Sequence, residues 1–179
     1  MEIRKILVMT LLMLAGVSSA YAEFERAAGV SLGSASWSFD DDQGYETRST
    51  AYKLFTEAAI DQDWKLGVGI VYLGEIEHEF IAESVSADGL TLFGVRHWAF
   101  SESVSLRGTV GISRMNTRLK SVFGSGRLSD TDLLLGLGAE AQLSEKTALR
   151  LEYELYRMAL DKYDFRAGVF FLGLVYNFY

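Results

Sequence analysis

Two histidines, one acidic run and one basic segment are the residues of this chain whose types could carry chemistry. Nucleophilic catalysis requires a nucleophile hydrogen-bonded to a base that a third group orients, and His78 and His97 are the only imidazoles. His78 stands among Glu75, Glu77 and Glu79, His97 precedes Trp98, and neither belongs to a His-x-Ser pair. Both read as ordinary interfacial histidines, and no catalytic residue is assigned. Asp40, Asp41 and Asp42 with Glu46 could gather a divalent cation, but glycine falls at the wrong place for an EF-hand loop. They read as a solvated acidic loop, with no metal and no cofactor. Arg114, Arg118, Lys120 and Arg127, spaced by Met115, Leu119, Val122 and Phe123, form a basic, partly apolar third long loop. Arginine forks match phosphate geometry, so this segment suits a phosphorylated headgroup or an acidic polymer.

Composition narrows what such groups can do. The chain has no cysteine, which excludes a disulfide framework, a thiolate metal site, a cysteine nucleophile and a lipidated cysteine. A formal charge of −7 argues against a protein that tracks nucleic-acid phosphates, which needs an excess of lysine and arginine. At the start, Arg4 and Lys5 precede an apolar run from Ile6 to Val17 and then Ala20, Tyr21 and Ala22. This is the pattern of a secretory signal peptide, residues 1–22, cut before Glu23. The run is too short for a membrane-spanning helix, which needs roughly 20 residues. Residues 23–179 then form one domain.

The elements that must position the charged groups are strands. Trp64, Leu66, Val68, Ile70, Tyr72 and Ile76 share one parity, and Lys65, Gly67, Gly69, Glu75 and Glu77 fall mostly on the other. That two-residue period specifies a half-apolar strand. It recurs at Val104 to Ile112, Leu133 to Leu143, Leu149 to Leu155, Tyr52 to Ile60 and Phe170 to Phe178. A weaker strand covers Gly89 to Phe100. In a first strand from Glu25 to Phe39, Val30 and Leu32 disagree in parity with Ala35, Trp37 and Phe39, which a bulge near Gly33 would reconcile. Short polar turns near 61–63, 101–103 and 144–146 alternate with longer polar links near 40–48, 77–88 and 114–129, and the fourth link, 160–164, is brief. Eight long strands with short turns on one side and longer loops on the other predict an all-β fold, an eight-stranded antiparallel up-and-down transmembrane β-barrel. A soluble, lipocalin-like barrel satisfies the parity too. Aromatic residues near strand ends, including Trp64, Tyr72, Trp98, Tyr153, Tyr176 and Phe178, match interfacial girdles and favour the membrane form. The polar parity, facing inward, carries Lys53, Glu57, Arg107, Glu140, Arg150, Glu152 and Glu154. Both signs together predict a paired plug holding the barrel shut, since buried charges persist only when partnered. A proton or small-ion path is the other reading.

With the segments Asp63 to Gly69, Ala148 to Tyr153 and Gly173 to Phe178, the chain resembles the small eight-stranded outer-membrane proteins of the OmpA transmembrane domain and OmpX type. That resemblance implies an integral protein of a Gram-negative outer membrane, monomeric, with both termini periplasmic. It implies lipopolysaccharide as surrounding lipid, and periplasmic chaperones and the barrel-assembly machinery as partners during biogenesis. The assembly signal is a C-terminal strand ending in an aromatic residue, here Tyr176, Phe178 and Tyr179, with Tyr179 one residue beyond the family's usual end. Its implied role is envelope integrity or adhesion to a host surface or matrix through the loops, with lipid A phosphates as one ligand of the basic segment. The alternatives are a narrow channel and a lipid A-modifying enzyme; this size also resembles lipid A deacylases, whose serine and histidine chemistry has no matching pair here.

Overall fold

The computed structural model describes residues 25–39, 48–77, 83–121, 124–160 and 163–178. The proposed signal peptide, His78, and the acidic loop with Asp40, Asp41, Asp42 and Glu46 lie outside the described residues, as do Val122, Phe123 and Tyr179. The described chain forms eight strands: β1 (Arg26–Phe39), β2 (Arg48–Ala59), β3 (Trp64–Glu77), β4 (Ser84–Ala99), β5 (Val104–Ser121), β6 (Gly124–Gln142), β7 (Thr147–Leu160) and β8 (Tyr163–Phe178). Each pairs antiparallel with its sequence neighbours, and β1 closes on β8. Every strand is therefore paired on both edges, β6 with β7 only over Leu135 to Gln142, and closure is the condition for backbone to cross lipid without unsatisfied amides.

Closure has a fixed stagger. Stepping across the pairings from Arg26 leads through Ala58, Leu66, Gly94, Val110, Leu135, Leu155 and Gly168 to Ser36, ten residues further along β1. For eight strands this stagger tilts the strands by about 40° from the barrel axis. The short turns form where the sequence places them: Asp61 Oδ1 accepts hydrogen bonds from the amides of Asp63 at 2.9 Å and Trp64 at 2.8 Å, and Ser101 Oγ accepts from the Val104 amide.

Three details of register differ from the sequence reading. β1 has no bulge near Gly33; its ladders to β2 and β8 run without interruption. Val30 and Leu32 face outward, 55% and 65% exposed, whereas Ala35 and Trp37 face inward and are buried. The parities disagree because the apolar residues change face along β1: outward at Val30 and Leu32, inward at Ala35 and Trp37, where the outward residues are Ser34, Ser36 and Ser38. The irregularity sits in β3, where the register shifts between Tyr72 and Glu75 against β4 and Gly74 takes φ of +87°. A glycine in that left-handed region builds a bulge cheaply. The bulge reverses parity, so Ile76, grouped by sequence with Trp64 and Tyr72, is buried inside. Finally, residues 114–121 and 124–129 are strand and not loop: β5 and β6 stay paired from Val104↔Ala141 to Ser121↔Gly124. The alternation of basic and apolar residues there is a strand period continued beyond the wall.

The β3 bulge is latched from inside. Trp37 Nε1 donates to Ser49 Oγ at 2.8 Å, and the Ser49 hydroxyl donates to the Leu73 carbonyl. A Cβ on Gly74 would meet Ser49 Cβ and the Thr50 carbonyl at 2.6 Å. Gly74→Val is expected to lower unfolding stability by about 1–3 kcal/mol, the cost of a forced left-handed residue. Urea unfolding in vesicles followed by tryptophan fluorescence checks this; an unchanged midpoint would remove the bulge from the determinants of register.

Candidate functional site: the barrel interior and its outer rim

The inward side chains fall into two tiers. Toward the short-turn end, every one of the seven charged residues singled out by sequence is buried. Glu57 on β2 is the hub: Arg150 on β7 grips its two oxygens at 2.7 and 2.9 Å, and Arg107 on β5 reaches them at 2.8 and 3.4 Å. Glu140 on β6 accepts from Arg107 at 3.1 Å and from Arg150 Nε at 2.8 Å. Glu152 accepts from Arg107 Nε at 3.2 Å. Lys53 donates to Glu154 at 2.6 Å and faces Glu152 at 3.6 Å, and the Tyr156 hydroxyl donates to Glu154 at 2.6 Å.

Local sequence explains how such large groups share so narrow a lumen. Gly138 is paired with both Arg107 and Glu152, and a Cβ there would come within 2.9 Å of Glu152 Cγ; the missing side chain lets the carboxylate lie against the wall. Phenylalanines supply the remaining contacts. Lys53 Nζ lies 4.9 Å from the Phe93 ring centre, and the Arg150 guanidinium lies 4.4 Å from that of Phe55, so the cations rest on ring faces where the quadrupole attracts them.

Above this tier the lumen is mostly apolar, with Ser113 and Thr117 of β5 buried on either side of Met115. Trp37, Leu73, Ile76, Val85, Met115 and Leu134 are buried in one cluster with Tyr156, Met158 and Val169. This tier was not assigned from sequence, but it has a signal. Val71 to Leu73, Leu133 to Leu135 and Phe170 to Leu172 are runs without alternation, which a strand shows when both faces are apolar. Tyr156 and His97 are the members of the polar tier that sequence reasoning missed. Tyr156 was indistinguishable from a girdle tyrosine. His97, read as interfacial, points inward and lies 3.3 Å from Arg107 Nη1, its direct cross-strand neighbour.

Outside, the girdles take shape. Tyr52 and Tyr72 stack at 5.2 Å and Tyr153 meets Phe170 at 4.7 Å on the longer-strand side. Tyr176 and Phe178 make an edge contact at 4.9 Å toward the short-turn end. Between the girdles the outward residues of β6, β7 and β8 are exposed leucines, among them Leu135, Leu137, Leu151, Leu172 and Leu174.

The basic segment divides between two strands but keeps one face. Arg114, Arg118 and Lys120 on β5 and Arg127 on β6 are all exposed, and Arg118 is paired directly with Arg127 across the ladder. Arg118 makes an ion pair with Asp88 at 2.6 Å, and Lys120 one with Glu75 at 3.6 Å; at this exposure such pairs contribute little and exchange readily. Among the described residues no cluster could hold a metal ion.

This architecture has close structural counterparts. The attachment invasion locus protein Ail of Yersinia pestis is 20% identical, with 87% of this chain and 99% of that one covered and a TM-score of 0.63. Neisserial surface protein A is 12% identical over 87% of this chain and 97% of that one, TM-score 0.61. The N-terminal β-barrel domain of Pseudomonas aeruginosa OprF is 15% identical over 84% and 97%, TM-score 0.53. At these identities the likeness concerns the fold. A comparison with curated protein sequences returned no match. The family profile described as outer membrane protein beta-barrel domain matches residues 6–178. With a closed eight-stranded barrel, a leucine-rich outer belt and that match, the chain belongs to the outer membrane protein beta-barrel domain family and is an integral protein of a Gram-negative outer membrane.

Proposed function

We propose that this protein is a plugged barrel that works through its outside, in envelope integrity or surface adhesion, and is neither a channel nor an enzyme. The observation that carries this reading is the filled interior: a charged tier held by ion pairs beneath an apolar tier. An ion would have to break several buried pairs and then cross Trp37, Leu73 and Met115. Against a hydrolase, His97 meets Arg107 and not a serine.

The short-turn end then faces the periplasm and the β5–β6 hairpin stands out from the cell, with residues 1–22 removed on export. Four cations on the hairpin's outward face suit phosphate or sulfate groups at the cell surface. Ail has been crystallised with sucrose octasulfate, a heparin analogue, and the same compound serves here as a probe. The deciding experiment expresses the barrel, and a version with Arg114, Arg118, Lys120 and Arg127 all changed to glutamine, at equal outer-membrane levels in a non-adherent strain. Cells bound to epithelial and matrix-coated surfaces are counted, with and without sucrose octasulfate. Binding that falls with neutralisation and with the probe supports adhesion through the hairpin. If neither version binds, adhesion is lost and envelope stabilisation becomes the function to test.

A further inference from the structure

On the outward side of β4, near the short-turn end, one arginine stands between two tryptophans. Arg96 is exposed and pairs across the ladders with Trp64 of β3 and Gly108 of β5. Its guanidinium carbon lies 5.8 Å from the centre of the Trp64 ring and 5.7 Å from that of Trp98, two residues along the same strand. The neighbouring glycines give the rings their places. A Cβ on Gly108 would come within 2.7 Å of the Trp98 ring, so the bare backbone of β5 is what lets that indole lie beside Arg96. On the other side the Trp64 ring reaches over Gly94, to 3.9 Å from where a Cβ would stand.

The two rings attract the cation through their faces but offer its five N–H groups no acceptor. No hydrogen bond or ion pair reaches Arg96 among the described residues, and Asp61 in the adjoining turn is engaged by the amides of Asp63 and Trp64. A guanidinium keeps its charge in proteins, and on a lipid-facing surface that charge is costly without a partner. Arg96 also stands about 5 Å nearer the middle of the barrel than Trp98 does. Leu66, Leu92 and Val110, exposed above it, continue the apolar belt.

We propose that Arg96, held by Trp64 and Trp98, binds the phosphate of a glycerophospholipid whose acyl chains lie on the apolar face of β3 to β5. The forked donors at the edge of the guanidinium match two phosphate oxygens. By fixing the plane of that fork, the rings reduce the rotamer freedom lost on binding. The ligand carries acyl chains because the cation stands on the apolar side of Trp98, where a soluble anion gains nothing from the leucines. It carries one phosphate because the site has one cation: Lys65 and Arg107, the other cations of β3 and β5 at this end, face the lumen. The lipid class rests on the orientation given above, which puts the short turns, and with them this site, in the periplasmic leaflet, opposite the leaflet of lipopolysaccharide.

The test uses the whole barrel in detergent with dioleoylphosphatidylglycerol as the probe, bound lipid being counted by native mass spectrometry. Dioleoylglycerol, which has the chains and no phosphate, and glycerophosphate, which has the phosphate and no chains, are run in parallel. The variants are Arg96→Gln; Trp98→Leu, which keeps the charge and removes one wall of the clamp; and Arg157→Gln/Arg166→Gln, exposed at the opposite end. Each is confirmed folded by its resistance to unfolding in unheated gels. Arg96→Gln is expected to bind the phospholipid about ten-fold more weakly, the loss of a charge-assisted fork, Trp98→Leu several-fold more weakly, and the double variant as the parent does. Dioleoylglycerol should bind parent and Arg96→Gln alike, and millimolar glycerophosphate should not displace the phospholipid. Equal phospholipid binding by parent and Arg96→Gln overturns the proposal, as does an equal loss in the double variant, and unchanged binding by Trp98→Leu removes the clamp from it. Displacement by glycerophosphate, or an Arg96-dependent preference for diphosphorylated lipid A, would overturn the assignment to a glycerophospholipid. Orientation is read separately in a chain that has no cysteine of its own: Glu102→Cys should react with a membrane-impermeant maleimide only after the outer membrane is opened. Reaction in intact cells would overturn the orientation, whereas a protected cysteine with no Arg96 effect would overturn the site alone.

Discussion

Arg107→Ala lowers the stability of the barrel by about 3–5 kcal/mol, the loss expected when one partner of a buried ionic cluster is removed and the others remain. Arg107 touches Glu57, Glu140 and Glu152, and its loss leaves four carboxylates facing Lys53 and Arg150. Glu57 and Glu140 keep Arg150; Glu152 keeps only Lys53 at 3.6 Å. Glu152→Gln in the Arg107→Ala background therefore recovers part of the loss, because the least compensated of the stranded charges is removed. Urea unfolding of the two single variants and the double variant gives the coupling by a double-mutant cycle. Strictly additive losses, or an unchanged midpoint for Arg107→Ala, would show that the cluster does not hold the barrel together.

Leu151→Arg is the second large effect, and it reads the orientation of the wall. Leu151 is paired with Leu172, and both face outward, 52% and 55% exposed, midway between the two aromatic girdles. In a bilayer an arginine at mid-depth costs about 2–4 kcal/mol, falling to roughly 0–1 near the interfaces. Leu155→Arg, four residues closer to the rim on the same face, is accordingly expected to cost less. Refolding into vesicles, with free energies from reversible urea titration, measures the gradient. A soluble barrel would show no such gradient, since arginine on its water-facing surface improves solubility and leaves stability almost unchanged. Equal, near-zero effects at both positions would overturn the lipid-facing assignment.

Most of the architecture was legible in the sequence because a strand that is lipid-facing on one side and polar on the other writes its geometry as a two-residue period. The seven interior charges stood out for the same reason: through the middle of β2, β5, β6 and β7 the parity opposite the leucines carries them. Legibility failed where the period lost contrast. In β1, apolar residues face both lipid and lumen, so Val30 and Trp37 gave conflicting parities that a bulge appeared necessary to resolve. In β3 the true bulge was hidden, because Gly74 is one of many glycines in these strands and nothing local sets its φ. The basic segment reads as a loop because its alternation of charged with apolar residues carries no lipid-facing leucine.

By itself, then, the sequence determined the number of strands, their order, the position of the short turns, which charged residues of β2, β5, β6 and β7 face the interior, and the mixture of both signs inside. These depend on alternation and turn chemistry, which are local. Only the tertiary structure decided which carboxylate meets which cation, that an apolar tier sits above the charged one, and that Ile76 turns inward. Those depend on the stagger with which the sheet closes. A shift of ten residues round eight strands is a property of the closed sheet and is encoded in no single strand.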